Sequence, residues 1–576
     1  MRKLARYLKP YIGFILLIFG LLFVQAMTDL SLPDYMSDIV NNGIVNGDTG
    51  YILAKGSVML LFALISAASS IAVGFFAARI AAGFSRNVRA DLFTKVEGFS
   101  NAEFDKFSTA SLITRTTNDI QQIQMFIVMM LRIVFYAPIT GIGGIIKALG
   151  KSTSMSWIIA VAVIVLLSVI LLTFSIVMPK FKLVQKLIDK LNLVTRESLT
   201  GMMVIRAFNT QKVEEEKFDK ANLDLTKTNR FVNRTMSLLM PVMMLIMNGI
   251  SLLVIWVGAH MVGEGAIEIG NMMAFMQYTM QIIMAFLMVS MVFVLMPRAS
   301  VSALRISEVL STKPSINDPE KADDFKGDRR GYVEFKNVSF RYPNAEEDAL
   351  HDISFTAKPG QTTAFIGSTG SGKTTLINLI PRFYDVTEGE VLVNGTDVRQ
   401  VSQHDLHDVI GYVPQKGTLF SGTIGSNLRY AKEDATDEEL QKAASIAQAT
   451  EFIDQKPDRY DSPISQGGSN VSGGQKQRLS IARALVKRPP IYIFDDSFSA
   501  LDFKTDAALR KALQQETDNA TVLLVGQRIS SIMHAEQIIV LDEGRIVGIG
   551  THQELMKNCE VYREIALSQL SKEELA

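Results

Sequence analysis

Cysteine is nearly absent from this 576-residue chain, with Cys559 its only thiol. One thiol excludes an intramolecular disulfide framework and leaves no Cys-based metal site or haem motif. Net charge is absent too, since 58 Lys and Arg stand against 58 Asp and Glu. That balance excludes a chain dominated by one sign, such as a basic nucleic-acid binder or an acidic disordered tail. The zero nevertheless sums two unlike parts. Residues 1–310 carry 28 basic and 19 acidic side chains, for +9, whereas residues 311–576 carry 30 and 39, for −9. Methionine divides near the same place, with 25 of 27 before residue 300 and only Met533 and Met556 after it. Two compositionally different units are joined.

Charge is missing locally as well. At 48% hydrophobic residues and a mean hydropathy of +0.21, the chain is too apolar for an ordinary soluble enzyme and too charged to lie wholly in a membrane. The excess is concentrated in windows free of Asp, Glu, Lys and Arg at 10–28, 56–78, 120–146 (interrupted by Arg132), 152–179, 235–263 and 269–297. A charge at the bilayer centre is costly and roughly 20 apolar residues cross the hydrocarbon core, so these windows predict six membrane helices. The first is longer than a signal-peptide core and lacks a small-residue cleavage site, so it is read as a retained span. Six spans put both chain ends on one side. Residues 31–50 and 264–269 contain no Lys or Arg, whereas the N-terminus, 79–119 and 180–234 are rich in both and are assigned to the cytoplasm. Lys147 and Lys151 dissent from that rule.

Both basic segments keep helical periodicity, as in FKLVQKLIDKLNLV, and are predicted to continue the spans into the cytosol. Their midpoints, near 104–115 and 201–212, are candidate docking tips. Arg132 reads either as a substrate or ion-path residue or, more simply, as a snorkelling side chain near the start of its span. Met276, Met280, Met284 and Met288 recur at i, i+4. Such a stripe suits a cavity that repacks around varied apolar ligands, and equally ordinary helix packing. Asn248, Gln277, Tyr278 and Gln281 are the polar candidates for a lumen.

After a polar connector at 311–330, strands and helices alternate. The run QTTAFI leads into Gly367, Ser368, Thr369, Gly370, Ser371, Gly372, Lys373, Thr374 and Thr375, and an apolar helix follows. This is a P-loop in its required strand-to-helix context. Its glycines let backbone N–H groups face phosphates at a helix N-terminus, Lys373 adds positive charge, and the Thr374 hydroxyl reaches Mg2+. Downstream, IYIFD ends a buried-strand run at Asp495, placed to hold Mg2+ through water, with Asp496 next to it. Between them, Val471, Ser472, Gly473, Gly474 and Gln475 precede a helix whose N-terminus can present its hydroxyl and amides to an anion.

Taken together, GSTGSGKTT, YVPQ with Gln415, VSGGQKQR, IYIFDD and the Ser499-Ala500-Leu501-Asp502 turn make the chain resemble the ATP-binding cassette exporters along essentially its whole length. Tyr342 of SFRYP resembles the aromatic residue that stacks on adenine, and RESLTGMMVIRAF and FDKFSTASLITRTTND resemble the segments bearing the coupling helices. The resemblance implies an all-α six-helix transmembrane domain (1–310) with cytosolic helical extensions, a linker (311–330) and an α/β P-loop cassette (331–576). It implies ATP and Mg2+ as cofactors, with Gln415 joining Thr374 and Asp495 as a metal-binding residue. It also implies pairing of two such chains, so that the signature Val471 to Gln475 of one contacts ATP on the Walker motifs of the other.

Two positions depart from the family pattern. The water-positioning carboxylate after Asp495 is normally Glu and here is Asp496, one methylene shorter. The switch position, normally His, is Gln527, which hydrogen-bonds a phosphate but cannot carry the positive charge. A third departure is Ser465-Gln466-Gly467-Gly468, where exporters usually place a Glu. The expectation is therefore a degenerate half of a bacterial heterodimeric multidrug exporter in the plasma membrane. Its termini and cassette would be cytoplasmic, and it would move hydrophobic or amphipathic compounds amid membrane lipid, with no nucleic-acid partner. Its partner would be a second half-transporter carrying the consensus Glu and His. Alternatives are an exporter of one endogenous peptide, lipid or thiol compound, and a regulatory membrane ATPase.

Overall fold

The computed structural model describes residues 4–325, 330–343 and 345–570. The chain divides into two compact units, Met1–Glu97 with Thr109–Thr312, and Gly98–Ser108 with Lys313–Ala576.

The first unit holds six helices long and apolar enough to cross a membrane, Leu4–Ile44, Thr49–Glu97, Thr109–Lys151, Ser156–Thr200, Gln211–Gly263 and Ile269–Ser311, of 41 to 53 residues each. At 1.5 Å per residue such helices run about 60–80 Å, roughly twice the hydrocarbon thickness, so every span continues beyond the bilayer. A bilayer supplies no hydrophobic force between helices, so their association falls to close packing and polar contacts. Span three supplies the first. Ala137, Gly141, Gly144 and Ala148 are buried at spacings of four, three and four. A Cβ on Gly144 would lie 2.9 Å from Ile282 Cγ1 of span six, and one on Gly143 would lie 2.4 Å from Leu30 Cδ1 of span one.

Polar contacts stitch both ends of the bundle. At one end Asp34 of span one pairs with Lys147 (2.8 Å) and Lys151 (3.0 Å). The two lysines that dissented from the charge rule are thus neutralised by a neighbouring span. There too Asn41 Nδ2 donates to Glu268 Oε2 at 2.5 Å and its Oδ1 accepts from Gly270 N at 2.7 Å. Toward the other end, Arg115 reaches Glu308 (2.8 Å) and the Arg305 carbonyl (2.7 Å), while Asp119 accepts from Ser302 (2.8 Å) and pairs with Arg305 (3.3 Å).

The second unit contains two main sheets. The larger has six strands in the order Arg545–Gly550, Gln537–Asp542, Thr362–Gly367, Thr521–Val525, Ile491–Asp495, Ile410–Val413, all parallel except the first. Its central strands are buried on both faces, which is why they read as continuous apolar runs. The smaller sheet is antiparallel, Leu350–Ala357, Val333–Phe340, Glu388–Val393 and Thr396–Asp397. A short helix from the membrane half of the sequence, Asn101–Phe107, belongs to this unit. Glu103 Oε1 accepts from Ser315 N at 3.0 Å, and Asp105 Oδ2 accepts from Tyr384 OH at 3.3 Å. Burial and the nearby Asp105 charge push the Tyr384 phenol up to about 12.

Gly144→Val should wedge spans three and six apart at a cost of about 1–3 kcal/mol from overpacking. A lowered thermal-unfolding midpoint of the purified protein checks this, with Gly13→Val, whose Cβ meets nothing within 4 Å, as the unaffected control.

Candidate functional site

Three adjacent parallel strands build the site. Thr362–Gly367, Thr521–Val525 and Ile491–Asp495 lie side by side, with Val525 paired to both Phe365 and Asp495. Their C-terminal ends therefore deliver the P-loop, the Gln527 turn and the two aspartates to one crevice, the usual ligand position in an open parallel sheet. Gly370 and Gly372 adopt φ of +87° and +93°, and a Cβ on Gly372 would meet Leu350 Cδ2 at 2.7 Å. Only glycine fits that turn. The helix Lys373–Leu379 starts immediately after it.

Lys373 Nζ donates back onto its own loop, to the carbonyls of Gly367 (2.9 Å) and Ser368 (2.7 Å). Thr374 Oγ1 donates to Asp495 Oδ1 at 3.0 Å. Asp496 Oδ2 accepts from two amides, Gln527 Nε2 at 2.8 Å and Gln415 Nε2 at 3.3 Å. Burial lowers the Lys373 pKa and raises those of Asp495 and Asp496; the Thr374 bond works against the rise at Asp495, and the Gln415 and Ser499 bonds work against it at Asp496. Two adjacent buried carboxylates and a lysine resting on carbonyls fit a ligand that brings phosphate oxygens and a dication together. Mg2+ prefers a few oxygen donors plus substrate phosphates, and the Thr374 hydroxyl and Asp495 carboxylate form such a pair. Asp496 has a φ of +46°, a left-handed strain of the kind found at functional sites. Tyr342 stacks edge-on to Phe340 and Tyr384, and its hydroxyl lies 2.9 Å from Thr375 Oγ1, which ties it to the P-loop helix.

The signature forms the N-terminus of the helix Gly473–Lys487. Ser472 Oγ accepts from Gln475 N at 3.3 Å and Ser472 N donates to Gln475 Oε1 at 3.0 Å, a capping box that leaves the serine O–H to donate outward. A Cβ on Gly473 would meet nothing within 4 Å, whereas one on Gly474 would lie 3.3 Å from the Ala500 carbonyl, and Val471 is buried. The turn after Asp496 is held by Ser499 Oγ on the Asp496 carbonyl (2.9 Å), by buried Leu501, and by Asp502, which caps the next helix through Thr505 N at 3.0 Å.

One element of this site left no signal in the sequence. Gln569, in the last described helix, donates from Nε2 to the Gln527 carbonyl and accepts on Oε1 from Ile529 N, both at 2.8 Å. Its amide clamps the switch turn on either side of Arg528. Arg528 in turn donates to the Ser499 carbonyl at 3.3 Å and lies 5.0 Å from the Phe503 ring centroid. The clamp's helix is seated by Tyr562, fully buried, whose hydroxyl lies 2.7 Å from His552 Nδ1.

In the membrane unit, Met276, Gln277, Met280 and Gln281 are half-buried, while Met284 and Asn248 are exposed. Met276 and Met280 pack against a core drawn mainly from spans four to six, with Leu30 of span one and Ala148 of span three. Tyr278 is fully buried and donates to the Leu30 carbonyl at 2.9 Å, so it closes a helix contact rather than lining an open space. Sequence reasoning also missed Asp29 of span one. Its carboxylate accepts from Ser66 Oγ and Tyr136 OH, each at 2.6 Å, and its carbonyl from Gln281 Nε2 at 3.2 Å. Four spans meet at this residue.

Residues 15–286 match the family described as the ABC transporter transmembrane region, and residues 350–499 match the ABC transporter family. An uncharacterized ABC transporter ATP-binding protein of Mycobacterium tuberculosis is 40% identical over 98% of this chain and 97% of its own. The chain belongs to the ABC transporters. YfiB, an uncharacterized ABC transporter ATP-binding protein of Bacillus subtilis, is 37% identical over 100% of this chain and 99% of its own. YheI of Bacillus subtilis, a probable multidrug resistance ABC transporter ATP-binding/permease protein, is 32% identical over 98% and 96%. The structure of a bacterial Atm1-family ABC exporter with ATP bound shares the fold, with a TM-score of 0.75 and 24% identity over 97% of this chain and 98% of that one. This ABC transporter thus carries an exporter-type membrane domain and one cassette on a single chain, as a multi-pass half-transporter that couples ATP hydrolysis with Mg2+ to transport.

Asp495→Asn should weaken Mg2+-dependent nucleotide binding about 10–100-fold. Titration of a fluorescent ATP analogue with Mg2+ and with EDTA checks it, the EDTA value staying unchanged. Gln569→Ala removes the acceptor of the Ile529 amide and should speed its hydrogen exchange by roughly 10-fold or more, the equivalent of about 1–3 kcal/mol. Exchange in the strand Thr521–Val525 serves as reference.

Proposed function

We propose that this half-transporter is the degenerate half of a heterodimeric exporter for hydrophobic or amphipathic compounds, with its termini and cassette on the cytoplasmic face of the plasma membrane. The observation that carries the reading is Asp496 Oδ2 held by both the Gln527 and Gln415 amides. A general base must reach the proton it removes. Asp496 is one methylene shorter than the usual Glu, and an oxygen occupied by two amide donors is less available to water. A displacement of about 1 Å costs roughly 10²-fold in rate. The Gln527 side chain, neutral at any pH, adds no charge to a γ-phosphate. ATP on this side is therefore retained rather than turned over.

The signature keeps its competence. Its helix N-terminus is capped, Gly473 faces open space and the Ser472 hydroxyl is free to donate, which suits completion of a partner's Walker site. Pairing is further supported by the tip helix Met202–Ala207, where Met203, Val204 and the following Phe208 are 88%, 60% and 73% exposed. Such apolar exposure marks a docking surface, and a second chain's cassette is the occupant this reading assigns to it. The basic segments 79–119 and 180–234 support the cytoplasmic assignment. A hydrophobic or amphipathic cargo is supported by the Met-rich spans five and six, and by the word multidrug in the names of YheI and of YgaD of Bacillus subtilis, 31% identical.

The purified chain alone should hydrolyse ATP at least about 10-fold more slowly than the same chain with its partner, and Asp496→Glu should raise the rate of the chain alone. Equal rates with no gain from Asp496→Glu sink the reading. The slow activity also has a pH signature. Because burial raises the Asp496 pKa, the base is lost by protonation as pH falls through that raised value, earlier than for an exposed aspartate. Asp496→Asn should remove this acidic limb from the rate profile.

A further inference from the structure

The first described segment, Leu4–Tyr11, is a 3-10 helix of 8 residues. In that helix, residues three apart stand in line. Leu4 and Tyr7 form one such line and are buried, whereas Arg6 and Lys9 form another and are exposed. The buried line is docked firmly on span two. The Tyr7 hydroxyl donates to Asp91 Oδ2 at 2.6 Å, its ring meets Phe84 edge-on at 6.1 Å, and Tyr11 lies so close to Gly83 that a Cβ there would sit 2.1 Å from its hydroxyl. The two cations are thus held outward by a packed helix.

They face a cavity of about 620 Å³ between this segment and the end of span six. Arg6, Lys9, Ser307 and Ser311 supply its polar lining and Leu4 and Leu310 its apolar wall, with no acidic side chain among the lining residues. Arg6 spends one N–H on the Tyr7 hydroxyl (2.9 Å), and neither Arg6 nor Lys9 is ion-paired among the described residues. Ser307 Oγ is buried with no hydrogen-bond partner among those residues. An exposed lysine, an arginine that lies 4.9 Å from the Tyr7 ring centroid and keeps further N–H groups to donate, and a hydroxyl lacking an acceptor line one space. Past Lys9 the spacing of three and four continues through Ile12 and Leu16, 52% and 62% exposed, onto the outer face of span one.

We infer that this cavity is a binding site for the headgroup of an anionic phospholipid, with the phosphate on Arg6, Lys9 and Ser307 and an acyl chain along Ile12 and Leu16. The apolar path beyond the cations selects a lipid over a free phosphate, since inorganic phosphate has nothing to lay against it. The assignment to the anionic cytoplasmic leaflet rests on the topology proposed above; the headgroup chemistry does not.

The test is native mass spectrometry of the full chain in detergent with equimolar phosphatidylglycerol and phosphatidylcholine. The wild type should retain phosphatidylglycerol preferentially, and R6Q/K9Q should lose roughly 30-fold of that preference, from about a factor of five per cation. Ser307→Ala should weaken retention by a smaller factor. Equal retention of the two lipids by the wild type, or an unchanged preference in R6Q/K9Q, overturns the site. If R6Q/K9Q does not fold, the wild type decides: phosphatidylglycerol should be released between about 0.05 M and 0.5 M salt, and retention indifferent to salt overturns the site. Inorganic phosphate displacing phosphatidylglycerol at equal concentration would overturn the lipid assignment. Detergent binding is blind to sidedness, so a wrong topology shows separately, as protection of an N-terminal tag from protease in inside-out vesicles.

Discussion

Asp495 and Asp496 are neighbours in sequence, both buried, and face a lysine across the same crevice. Two carboxylates so placed ionise at a cost that the protein alone meets only in part, through a threonine hydroxyl, two amides and Lys373. The arrangement is therefore incomplete without an incoming dication and polyphosphate, and much of the cassette serves to keep it so. The central sheet aligns three strand ends on it, the left-handed turn at Asp496 aims the second carboxylate, and glycines hold the P-loop open beside the first. Nucleotide binding and relief of this electrostatic cost are one event.

The membrane unit meets a comparable constraint by different means. Several charges near the apolar windows have a partner on another span. Asp34 is answered by two lysines, Asp29 by two hydroxyls, and the paired Arg115 and Asp119 groups lie outside the charge-free windows. Where charge is absent, small residues let span three approach span six. Shape and hydrogen bonding take over the role that water exclusion plays in the cassette.

Much of this was legible in the sequence, and the reason differs by element. The P-loop, the paired aspartates and the signature are local backbone devices, so residue type and spacing carry nearly all their information. The six spans follow from the cost of burying charge, which acts residue by residue. What stayed hidden depends on contacts between distant segments. Nothing about Gln569 in isolation points to the turn 42 positions earlier that it clamps. Asp29 sits just past a charge-free window, and its meaning appears only when Ser66, Tyr136 and Gln281 arrive from three other spans. Tyr278 looked like a lumen candidate because its hydroxyl is polar, yet that hydroxyl is used on a backbone carbonyl. The pairing of Lys147 and Lys151 with Asp34 of span one is likewise invisible until the spans are brought together.

The clamp on the switch turn has a consequence for how the site can vary. Both bonds that Gln569 makes end on backbone atoms, the Gln527 carbonyl and the Ile529 amide. The clamp therefore sets the path of the turn and is indifferent to the side chain at position 527. Another residue at the switch position would inherit the same fastening, so the chemistry of this turn can change by a single substitution while its place beside the phosphates stays fixed.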